Sequence, residues 1–134
     1  MSSVRYQDLI AWQKAIAFVK RVYVVTSELP QEEMFGLKSQ MRRSAVSVAS
    51  NIAEGQGRTT AGEFYQFLGH ARASLYELET QMVIAVELGY VSAEQCDSSL
   101  REAGELGRIL NGLMSSVKPA RKLASRSSVL ATDN

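Results

Sequence analysis

The chain has 134 residues, 15 basic and 14 acidic side chains, one histidine and one cysteine. That length fits one domain, able to bury roughly two-thirds of its unfolded surface without staples. Lone Cys96 excludes an intramolecular disulfide framework and fits a reducing compartment, and a net charge of +1 argues against a protein devoted to polyanions.

The opening "MSSVRYQDLIAWQKA" has no apolar run of signal-peptide type, and no stretch approaches a membrane span. A cytoplasmic, soluble protein without a membrane partner is expected. The first helix is predicted at about 7–28. Leu9, Trp12, Ile16, Val19 and Tyr23 recur at steps of three and four and are read as its core stripe. Ala15, Phe18, Val22 and Val25 form a second stripe beside it. Pro30 disfavours helical geometry at Leu29 and stops the helix.

The second helix, at about 34–54, contains "RRSAVSVASNIAEGQGR", in which nearly every central residue is small. Met41, Ala45, Val48 and Ile52 make one apolar stripe. Val46, Ala49 and Ala53 make a second, narrow one, and Arg43, Ser47, Asn51, Glu54 and Arg58 a polar one. Two apolar faces with small side chains imply a helix packed closely on both sides. Gly55 is read as its left-handed terminus.

The third helix, 61–88, opens with a capping box from Thr60 to Glu63. Phe64, Leu68, Ala71, Leu75, Leu78, Met82 and Ala85 follow at alternating four- and three-residue steps, as in coiled-coil-like packing. It ends at Gly89. A second capping box, Ser92 to Gln95, starts the fourth helix at 93–118. Leu100, Ala103, Leu106, Leu110, Leu113 and Val117 form its stripe, and Pro119 stops it.

There are no strand signals and no internal repeat. The fold expected is all-α: an antiparallel up-down-up-down four-helix bundle over 1–118, followed by a flexible basic tail, 119–134. Apolar residues outside the chosen stripes, among them Phe18, Val22, Val25, Tyr65, Tyr76, Val83 and Val86, exceed what three partner helices cover. Such patches mark interfaces, so homo-oligomerisation is expected. Charge is segregated as well. Lys38, Arg42, Arg43 and Arg58 outweigh Glu54 in the second helix region, whereas residues 63–117 carry an acidic excess.

"RRSAVSVASNIAEGQGR" followed by "EFYQFLGHARASLYELETQM" resembles the bacterial four-helix-bundle family named for proteins encoded within 23S rRNA intervening sequences. The matching positions are Leu9, Trp12 and Gln13; Pro30, Glu33, Gly36, Leu37, Gln40, Arg42 and Arg43; Ser50 to Gly55 with Gly57 and Arg58; and Glu77 to Gln81. The resemblance covers roughly residues 6–117. It implies a homopentameric ring of bundles and no established enzyme activity. A related, strongly basic branch serves as the accessory protein of diversity-generating retroelements and binds nucleic acid and a reverse transcriptase. Ala49 stands where the family commonly has Pro, which leaves a kink in helix two open. Ala73 stands where Gly is common, which slightly widens one helix contact.

His70, Ser74 and Glu77 share one helix face, but mid-helix amides are already bonded and offer no oxyanion hole, so a polar face is the simpler reading. A di-iron bundle needs Glu-x-x-His on two helices, and Phe67 occupies the position three before His70. Cys96 and His70 are too few for a zinc site. "EGQGRTT" lacks the strand, lysine and spacing of a phosphate loop and reads as a cap, a loop and a cap. No catalytic residue, metal or cofactor is expected.

Two sets of residues are singled out. Arg43, Asn51, Glu54 and Arg58 are expected to form a buried or interfacial polar network, because unpaired polar groups there are costly. Lys38 and Arg42, with Lys118, Arg121, Lys122 and Arg126 of the tail, are the candidate contacts to RNA or DNA.

Overall fold

A computed structural model describes residues 5–118; Arg121, Lys122 and Arg126, with the rest of the tail, lie outside the described residues. The described residues form four α-helices and no strand: α1 (Ile10–Thr26), α2 (Leu37–Gln56), α3 (Ala61–Glu87) and α4 (Ala93–Ser116). Short 3-10 turns, Tyr6–Asp8 and Gln31–Glu33, precede α1 and α2. None of these helices is long and apolar enough to cross a membrane.

Each helix packs on its two neighbours in a closed cycle, α1 on α2 and α4, α3 on α2 and α4. The contacts show antiparallel neighbours. Arg42, early in α2, bonds to Thr26 at the end of α1, and Gly55, late in α2, abuts Phe64 and Phe67, early in α3. Between α3 and α4, Gly69 lies near Met114 and Leu75 near Gly107. Surface ion pairs of Lys14 with Glu105 (3.4 Å) and Arg21 with Glu102 (2.9 Å) join α1 to α4, and exposed pairs like these add little stability.

The α3 stripe is buried as its spacing predicts, from Leu68 through Ala85, with Phe64 partly buried at the end. Met41, Ala45, Val48 and Ile52 of α2 are fully buried. In α4 the core is broader than its leucine stripe, because Cys96, Ser99, Gly107 and Met114 are also buried. The wholly enclosed Cys96 thiol is pushed above its ordinary pKa by burial.

Helix α1 is turned the other way from the expectation. Ala11, Ala15, Phe18, Val22 and Val25 are its buried face, whereas Ile16 and Tyr23 are exposed and Trp12 and Val19 only half-buried. The two stripes are nearly equal in hydrophobicity. Small Ala11 and Ala15 let neighbouring backbones approach, so packing rather than bulk decides which face turns inward.

Two terminus readings also change. Gly55 is not a left-handed cap: α2 continues to Gln56, and no positive φ occurs at residue 55. Its smallness is required instead by α3, since an added Cβ would stand 2.8 Å from the Phe67 Cβ and 2.9 Å from Phe64 Cδ1. Thr60 does accept from the Glu63 amide (3.1 Å), without the reciprocal bond of a capping box, whereas Ser92 and Gln95 form the complete box. Gly89, at φ 79°, supplies the left-handed residue after α3, as a glycine does without a Cβ penalty.

Candidate interaction surface

The α1 stripe expected in the core lies instead on the outside of the bundle, beside the second apolar stripe of α2. Trp12, Ile16 and Val19 of α1, with Tyr6 before it, face Val46, Ala49, Ser50 and Ala53 of α2 across an open hollow of about 280 Å³. Tyr6 packs edge-on against Trp12, ring centroids 5.3 Å apart. Ala49, Ser50 and Ala53 are too small to fill this hollow from the α2 side.

At the other end of the same face is a second hollow of about 490 Å³, lined by Tyr23, Met34, Phe35, Lys38, Ser39, Arg42 and Arg43. Phe35 is 90% exposed, an unusual state for the largest class of apolar side chain. Phe35 falls inside the second helix predicted at about 34–54. In the structure a 3-10 turn and then Gly36 precede α2, which carries Phe35 off the helix and out from the surface.

That turn is braced. Glu33 Oε1 accepts from the Leu37 amide and Glu33 Oε2 from the Tyr90 hydroxyl, both at 2.9 Å. One carboxylate therefore caps α2 and ties it to the loop between α3 and α4. The Leu37 amide, then the Tyr90 hydroxyl, hold the Glu33 carboxyl below its ordinary pKa. The hydrogen bond to Glu33 reciprocally raises that of Tyr90, with burial and the nearby carboxylates adding to it.

Arg42 is largely committed within the chain. Its Nε donates to Thr26 Oγ1 (2.8 Å), its Nη2 donates to the Tyr23 carbonyl (3.1 Å), and its guanidinium lies 4.3 Å from the Tyr23 ring centroid. Lys38 is partly buried beside it, and Lys118 is exposed. The four residues expected to make a polar network are not joined to one another within the chain. Asn51 Nδ2 donates to the Ser47 carbonyl (2.9 Å) and hydroxyl (3.0 Å), and that hydroxyl shares a 2.9 Å bond with Ser74. Arg58 stacks on Phe67 at 4.6 Å. Arg43 and Glu54 are exposed and have no partner among the described residues.

The Ser74 hydroxyl is thus engaged with Ser47, and His70 packs edge-on against Phe67 at 5.9 Å, so the helix-face residues form no hydrolytic relay. Among the described residues no group of three or more His, Cys, Asp or Glu side chains is placed to hold a metal ion.

A model of the 23S rRNA-intervening sequence protein family matches residues 7–112. A solved structure from Bacteroides thetaiotaomicron, described as a protein of unknown function from the S23 ribosomal protein family, has a similar fold. The TM-score is 0.73 at 22% identity, over 79% of this chain and 96% of that one. No curated protein matches the chain. The structural likeness speaks to the fold, and the family match spans most of the sequence. On that match, the chain belongs to the 23S rRNA-intervening sequence protein family.

Proposed function

We propose that the protein is a non-enzymatic, homo-oligomeric helical-bundle scaffold or binding module of the bacterial cytoplasm, assembled through the outer α1–α2 face. The observation that carries this reading is the run of exposed or half-covered apolar residues on that face, Trp12, Ile16, Tyr23, Val46 and Phe35. Contiguous patches of this kind are uncommon on monomers and usually mark interaction surfaces. Tyr76 and Val83 of α3 are exposed as well, which gives a ring a second face to use. A closed pentamer is the form the family resemblance implies, and heterologous contacts of two different faces generate such rings. Arg43 and Glu54, without a partner among the described residues, then meet partners on a neighbouring subunit.

A second reading is an RNA- or DNA-binding accessory protein. It is favoured by an exposed aromatic, Phe35, beside Lys38 and Arg43, the pairing of ring and cation that single-strand binders use. In this reading Lys118, Arg121, Lys122 and Arg126 add phosphate contacts, while Arg42 contributes less because Thr26 and Tyr23 hold it.

Light scattering after gel filtration, with absorbance at two wavelengths, tests both. A clean oligomer free of nucleic acid supports the scaffold, and an oligomer carrying salt-removable nucleic acid favours the second reading. A monomer overturns the first.

A further inference from the structure

We draw no further inference here: the strongest candidate, the exposed seam of Ala73, Tyr76, Thr80 and Val83 along the outside of α3, carries nothing beyond the self-association already proposed, because nothing in the structure shows what covers it.

Discussion

Gly55 and Phe67 approach so closely that a β-carbon on Gly55 would stand 2.8 Å from the β-carbon of Phe67. The atom it would meet is fixed to the α3 backbone and gives way only if the helices separate. Replacing a helical glycine with alanine gains about 1 kcal/mol of helix propensity, whereas overpacking a tight contact costs about 1–3 kcal/mol. Gly55→Ala is therefore expected to lower stability, by up to about 2 kcal/mol. Gly112 is the contrasting case, because it is helical and exposed and an added Cβ there meets nothing within 4 Å. Gly112→Ala should raise stability by about 0.5–1 kcal/mol. Thermal melts of the two variants should move in opposite directions, and a Gly55→Ala protein melting at or above wild type would remove the steric account.

Arg42 is expected to act mainly as a brace between α1 and α2. It donates to Thr26, which is wholly buried and itself donates to the Val22 carbonyl at 2.7 Å. Arg42→Ala should cost about 1–2 kcal/mol through the lost charge-assisted bonds and the contact with Tyr23. Arg42→Lys should recover little, since an ammonium cannot lie flat on the ring while making both bonds. Lys38→Ala should stay within about 0.5 kcal/mol of wild type. Denaturant titrations of the three variants measure this. Equal effects of Arg42→Ala and Lys38→Ala would deny Arg42 its bracing role.

Acid should loosen the Glu33 tether. Its carboxyl pKa is lowered in the folded chain, so the contribution is present above the ordinary carboxylate range. It is lost as pH falls through that range and on through the lowered folded value. In Glu33→Gln protein the acid side of the melting-temperature profile should be flatter than in wild type, with the largest difference above the carboxylate range. Parallel profiles would show that the tether contributes nothing to stability.

The helices were legible in the sequence where one face carries the longer and more regular run. Leu68, Leu75, Leu78 and Met82 continue an unbroken four- and three-residue alternation that Tyr76 and Val83 do not match, so the buried side of α3 follows from spacing. In α1 two adjacent stripes compete, and the bulkier one, with Trp12 and Ile16, lies outside. Periodicity marks an apolar face without saying which neighbour it meets. Small residues made the second apolar stripe of α2 legible, but not its surroundings: Val46 is exposed and Ala53 half-buried beside an open hollow, so within the described residues α2 is packed closely on one side only. Phe35 was missed as a surface feature, since its exposure depends on where α2 starts. The Glu33–Tyr90 bond joins residues 57 positions apart and leaves no local pattern to read.

Cys96 gives the chain a clock of its own. The thiol is wholly enclosed at the start of α4, and burial keeps it protonated to a higher pH than a free cysteine. A water-borne alkylating reagent, which needs the thiolate, meets it only while the surrounding helices are briefly apart. With a single cysteine in 134 residues, every modified molecule records one such opening at one known place. The unaltered sequence thus reports how often its own core parts.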